Sequence, residues 1–415
     1  MKLYNVNKNQ IGLLLIFLIW PFGAFLYAIS KFHKKEAKNI VYLFLILFGL
    51  TFVLGNEKLD SFRYAQYFQD MSKFSFSDFK RIFASFLLSE KTLDLAQPII
   101  SFIVSRITND YHLLFGVIAA IFGYFYLKST SIVHKQYYEN KSRLALLFLL
   151  FFALIINPIF NINGYRFWIA TWVFFLGAYH LISSKEKKYI LLSFLAVFFH
   201  FSFVIPNLVL LIYLFLGNRN KLYYIFLIIS VFISDIIFQL FPSVISYLDV
   251  GIAAKVGRYA NVDQMEKIAE HTEWAIEQGK WYLYLPGKLT FYYITFSFLY
   301  LNYKYKKFRY TIELKNLFSF SLLLLAFANT VSFIPSMGRF RTIFLLFGLS
   351  FIIGLLTTSK IKKNNWLLIV GLIPFSLNLI TVIRLGLDLL NPWLFTLLPS
   401  PFIFDDISIY QWLFK

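Results

Sequence analysis

Apolar runs close to the length that crosses roughly 30 Å of hydrocarbon recur along the whole chain, separated by short polar stretches. They predict spans at about 11–30, 40–55, 112–128, 144–160, 166–183, 189–201, 202–216, 222–241, 287–302, 316–334, 341–357 and 366–387. Two stretches break the rhythm. Asp94 to Ile107 is largely apolar but too short to cross, and both of its flanks read as outer segments, so it is expected to be re-entrant or interfacial. Residues 189–216 are mostly apolar and bounded by basic loops on both sides, which a single crossing cannot satisfy. Two short helices meeting near His200 resolve this and put His200 at or below the outer surface. The expected fold is all-α: one polytopic transmembrane helical bundle over 1–415, with about 12 crossings plus a re-entrant or interfacial helix.

Charge orients the pattern. The net charge of +19 invites a polyanion reading, but about half of the 40 basic residues fall in alternate short loops. These loops hold Lys31 to Lys38, Lys128 to Arg143, Lys185 to Lys188, Arg219 with Lys221, Lys304 to Lys315, and Lys360 to Lys363, and few acids accompany them. Positive charge marks cytoplasmic loops, so the excess is a topology signal and nucleic acid is not an expected partner. Both termini then lie outside, with long outer loops at 56–111 and 242–286 and an outer tail at 389–415. In the second loop Glu266, Glu270, Glu273 and Glu277 recur at helical spacing and read as a solvated acidic face.

Composition agrees: 59% hydrophobic against 15% charged side chains excludes a soluble globular domain of this length. The run from Ile11 has no small-residue cleavage site and reads as a retained helix. Cysteine is absent, which excludes disulfides and thiol chemistry. No P-loop, GxGxxG unit or HExxH occurs, and no metal or cofactor is expected. Asp405-Asp406 stands in an aromatic tail without further ligands and is read as no metal site.

Ionisable residues in or beside spans are costly and point to function. Arg166 opens a helix after Asn161, Asn163, Gly164 and Tyr165; Arg339 and Arg341 lie in a tight outer connection; Asp60 and Arg63 open the first long loop. Interfacial arginine often only snorkels to lipid phosphate. On the outer side it is less expected, and several guanidinium forks can hold a diphosphate while charge develops on it. His200 fits a general base or a phosphate ligand, or a bond to a neighbouring helix. Asp60 fits a group that orients or deprotonates a hydroxyl, or a helix cap. Arg384, near the outer end of the last span, is the weakest of the arginines, and Asp235 reads as structural.

These spaced residues resemble a known family. Asp60-Ser61-Phe62-Arg63-Tyr64 with Tyr67-Phe68 resembles the aspartate, tyrosine, phenylalanine pattern of EpsG-like proteins, relatives of the Wzy-type polymerases of bacterial surface polysaccharides. Arg166-Phe167-Trp168-Ile169-Ala170 resembles that family's R-x-x-I-A helix start, Phe199-His200-Phe201-Ser202 its histidine-serine step, and Gly338-Arg339-Phe340 its late arginine-aromatic turn. The likeness runs over about residues 55–345. Two positions depart: Gln97-Pro98 replaces a Glu-Pro, removing a carboxylate, and Phe167 replaces a Gln, which reads as a packing change.

The resemblance implies a GT-C-like architecture in the bacterial cytoplasmic membrane with its site facing the periplasm or cell exterior. It implies a metal-independent, inverting glycosyltransferase. A polyprenyl-diphosphate-linked oligosaccharide would be the donor and another lipid-linked repeat unit the acceptor, within membrane lipid and with a chain-length regulator protein as partner. Arg166, Arg339, Arg341 and Arg63 would hold the diphosphate, with His200 or Asp60 assisting deprotonation. Two competing readings are a flippase or transporter of lipid-linked oligosaccharide, which should show repeats and compact loops on both sides, and a membrane acyltransferase.

Overall fold

Apolar runs in lipid must satisfy their backbone internally, and the described residues do so with helices. The computed structural model describes residues 8–55, 57, 59–88, 94–184, 186–232, 279–305, 311–332, 334, 337–358, 365–398 and 406–414, and no strand occurs among them. Asp235, Asp405, the acidic repeat from Glu266 to Glu277 and residues 242–278 of the second long loop lie outside the described residues.

In chain order the helices are α1 (Lys8–Ile19), α2 (Pro21–Ser30), α3 (Lys35–Leu50), α4 (Asp60–Ser72), α5 (Phe76–Leu88) and α6 (Ala96–Ser105). Next come α7 (Tyr111–Glu139), α8 (Arg143–Leu150), α9 (Tyr165–Ser183), α10 (Tyr189–Phe199), α11 (Val204–Leu216) and α12 (Asn220–Phe232). The last five are α13 (Leu285–Tyr305), α14 (Ile312–Val331), α15 (Arg341–Thr358), α16 (Asn365–Leu387) and α17 (Ile409–Phe414). Five stretches among the described residues are long and apolar enough to cross a membrane: Tyr111–Glu139, Arg143–Ser183, Ile312–Val331, Met337–Thr358 and Asn365–Leu387. The protein is therefore membrane-embedded.

Arg143–Ser183 is a hairpin. Phe152 packs on Trp172 and Phe175, and the Asn157 amide donates to the Trp168 carbonyl at 3.0 Å, so the two legs run antiparallel. A π-helical turn, Phe151–Ile156, precedes the bend. The expected pair of short helices around His200 is present as α10 and α11: the Asn207 amide donates to Ser193 O at 3.2 Å, which folds the two back on each other. The first expected span is two helices, because the ring of Pro21 starts α2 afresh after Trp20. Within the stretch Asp94 to Ile107, expected to be re-entrant or interfacial, Ala96–Ser105 form the short helix α6.

Burial separates the centre from the lipid face. The most apolar window of Met337–Thr358 is 83% buried, whereas that of Asn365–Leu387 is 22% buried, so α15 is central and α16 peripheral. Helix α9 is buried nearly all round, and Gly177 brings α10 against it: a Cβ there would stand 2.4 Å from Ser193 N. Only glycine permits that approach, which sets His200 beside the start of α9. Arg106 caps the end of α4 by donating to Met71 O (2.6 Å) and Phe74 O (2.8 Å), so α6 is fastened to α4. The tail is fastened as well, through Val53 N to Leu389 O (3.1 Å) and Trp20 Nε1 to Phe395 O (3.1 Å). Asp406 accepts from Tyr111 and contacts His112 Nε2 at 2.8 Å.

Candidate active site

The site is built where α4, α6, α9, the α10–α11 turn and the 3-10 turn Met337–Phe340 meet. A 3-10 turn, Ile159–Gly164, delivers the chain into α9, and asparagines hold it: Asn161 donates to Asn157 Oδ1 at 2.9 Å, and Asn163 Oδ1 accepts from Ser61 N at 3.3 Å. Arg166 therefore occupies the first turn of α9, where the helix dipole disfavours a cation. A carboxylate answers that cost. Asp94, buried just before α6, accepts from Arg166 Nη1 at 2.8 Å through one oxygen and from the Phe201 backbone N–H at 2.7 Å through the other. Tyr64 Oη accepts from Arg166 Nε at 3.0 Å, and the guanidinium lies 5.2 Å from the centre of the Tyr64 ring. Burial holds the Tyr64 hydroxyl above its ordinary pKa although the Arg166 charge opposes it, so the phenol stays protonated.

His200 faces this ion pair. Its Nδ1 accepts from Ser202 N at 3.3 Å, which caps the 3-10 turn Phe201–Phe203, and lies 2.7 Å from Ser202 Oγ. A backbone N–H can only donate, so the neutral ring carries its proton on Nε2. Asp94, Arg339, Arg166 and Asp60 all act on this ring electrostatically. Phe167 joins two of the predicted residues: Arg339 lies over its face at 4.6 Å, and the His200 ring meets it edge-on at 5.4 Å. The departure from Gln at this position thus supplies a platform as well as packing.

Asp60 pairs with Arg63 at the rim, where both side chains are over a third exposed; a Cβ on Gly164 would stand 3.7 Å from Asp60 Oδ2. Arg341 leaves the cluster. It lies two residues past Arg339, yet its guanidinium rests over Phe291 of α13 at 4.8 Å, and its buried Nε has no partner among the described residues. The 3-10 turn gives way to α15 between them, which points the two arginines at different helices. Arg384 also stands apart, bonded to Asp388 at 2.9 Å and stacked on Tyr410 at 4.1 Å.

Three residues gain weight that their sequence did not give them. Asp94 lay inside a stretch read only for its length. Tyr67 and Tyr165 present buried hydroxyls without a hydrogen-bond partner among the described residues, and burial pushes the Tyr67 phenol up to about 12. Donors of this kind suit sugar or phosphate oxygens. Among the described residues no three His, Asp or Glu side chains converge as metal ligands. The arrangement can hold an anion between guanidinium and imidazole N–H groups, beside a rim carboxylate able to take a proton.

In comparison with known proteins, the model of the EpsG family matches residues 39–386, most of the chain and every residue of this cluster. No curated protein and no solved structure matches the chain.

Proposed function

The chain belongs to the EpsG family, a Wzy-like polymerase family, and we propose that it is a polysaccharide polymerase joining polyprenyl-diphosphate-linked oligosaccharide repeat units on the outer side of the bacterial cytoplasmic membrane. The observation that carries this reading is the convergence of Arg166, Arg339 and His200 around the buried Asp94 at one end of the bundle. About twelve crossings in a GT-C-like arrangement, with a chain-length regulator protein as partner, belong to the same proposal.

The chemistry is a single inverting displacement. The acceptor hydroxyl oxygen attacks the anomeric carbon, and the bond from that carbon to the diphosphate oxygen breaks with its electron pair. Arg166 and Arg339 spread the charge gathering on the leaving group, joined by Arg63 at the rim and by the Nε2–H of His200. With Nδ1 already accepting, His200 suits a phosphate donor better than a base. Asp60, half-exposed at the rim, takes the hydroxyl proton. Asp94 keeps Arg166 oriented; Arg341 stands outside the set.

Membranes carrying the wild-type chain, incubated with a lipid-linked repeat unit, should yield a ladder of longer glycans. Arg166→Ala, Arg339→Ala and His200→Ala, at matched protein levels, should each lose it, and Arg384→Ala should keep it. Normal ladders in the first three would sink this site, and translocation without elongation would replace polymerase by flippase.

A further inference from the structure

A second cationic feature lies at the opposite, basic-loop end of the bundle. A cavity of about 910 Å³ opens between the α2–α3 turn, α7, α9 and α10. That volume is in the range of small-molecule sites. One face of α7 supplies Tyr124, Lys128, Ser131, Lys135 and Tyr138 at helical spacing. His33 and Lys38 enter from the α2–α3 turn and the start of α3, and His134 and His180 complete the polar rim.

Positive-inside charge explains lysines in these loops, but it does not explain their company. Three of the six histidines in the chain line this one cavity, together with three lysines and a single carboxylate, Glu139. The histidines are fixed by rings: His33 stacks on Tyr138 at 4.9 Å and His180 on Tyr189 at 4.4 Å. Lys38 and Lys128 rest over Phe32 and Tyr124, at 5.5 and 5.6 Å, and neither is ion-paired to a carboxylate among the described residues. Burial and the Lys128 charge push the Lys38 ammonium below its ordinary pKa. Among the described residues no three such side chains approach closely enough to share a metal ion. The donors surround a space much larger than a cation, and the Lys38 and Lys128 charges repel each other across it, an arrangement that a tetrahedral oxyanion relieves.

We propose that this inner cavity is a phosphate-binding site, taking a phosphate monoester or diester between Lys38, Lys128, His134 and His180. Phe125, Ile132, Leu176 and Leu192 add apolar wall to the same lining. The head group of an anionic lipid fits this amphiphilic lining, and so does a free phosphate at the rim. The site does not depend on the polymerase reading, because it shares no residue with the Arg166 cluster.

Thermal unfolding of the purified full chain tests it. One arm reconstitutes the protein in nanodiscs of phosphatidylcholine with or without phosphatidylglycerol; the other adds sodium phosphate or sodium chloride at matched ionic strength. The melting temperature should rise with phosphatidylglycerol alone if a lipid supplies the group, and with sodium phosphate also if a free phosphate does. Lys128→Gln/His134→Gln should weaken the apparent affinity about tenfold or more, as losing charge-assisted contacts does. Arg219→Gln, which removes a cytoplasmic charge outside the cavity, should keep it. No rise with either probe, an undiminished rise in the double variant, or an equal loss in Arg219→Gln would each overturn the proposal. Should the double variant melt below wild type in phosphatidylcholine alone, Lys38→Gln decides by the same criteria.

Discussion

At one end of the bundle Arg166 is held by two oxygen atoms, of Asp94 and Tyr64, and by the Tyr64 ring, whereas at the opposite end Lys38, Lys128 and Lys135 line a cavity with one carboxylate among them. Both ends are cationic, but one spends its charge on a fixed geometry and the other leaves it uncommitted. The difference separates two uses of the same residue types. A cation locked to a buried carboxylate is preorganised for a charge that appears during a reaction. Mutually repelling cations around an open space are suited to an anion that arrives whole.

The largest effect that could break this contrast is at Asp94. Asp94→Asn keeps the shape but leaves Arg166 without its counter-charge, an uncompensated loss worth about 3–5 kcal/mol for a buried pair. Ladder formation should fall by roughly 100-fold, the scale on which a small misplacement acts in an active site, with a lowered melting temperature. An unchanged ladder would mean that Arg166 needs no orientation. Arg341→Ala should do less: it removes a cation resting on Phe291 outside the cluster, for a loss under about tenfold, or about 1.4 kcal/mol. A loss as deep as that of Arg339→Ala would bring Arg341 into the diphosphate site. Lys188→Ala should change least. Its pair with Glu186 is exposed on both sides, so ladder and melting temperature should match wild type.

Much of the architecture was legible because lipid imposes simple rules. The runs at 166–183, 341–357 and 366–387 are bounded by charge or turns and reappear as α9, α15 and α16 within two residues at each end. The α10–α11 pair followed from counting basic loops alone. The single span expected at 11–30 is broken into α1 and α2 at Pro21, which the apolar pattern alone does not show.

Pairing was not legible. Arg166 and Asp94 are 72 positions apart, and periodicity carries no information about which polar residues meet across a bundle. The divergence of Arg339 and Arg341 depends on one change of helix type, at Phe340, which propensity does not resolve. The motif residues Arg166, His200 and Arg339 were found by their cost in an apolar setting. Asp94 was overlooked because it stood at the edge of an apolar run that was judged by its length.

The two short helices beside the site also shape the lipid. At about 1.5 Å per residue, the 11 residues of α10 and the 13 of α11 reach about 16 and about 20 Å, against a hydrocarbon thickness of roughly 30 Å. Leu191, Phe194, Leu208 and Phe215 are exposed along them, so this face presents acyl chains with a belt little more than half a bilayer tall. A bilayer meets such mismatch by thinning. The head-group plane then dips toward the turn that carries His200, and on the proposed function a diphosphate riding on a lipid tail would reach the level of Arg166 without its tail leaving the leaflet.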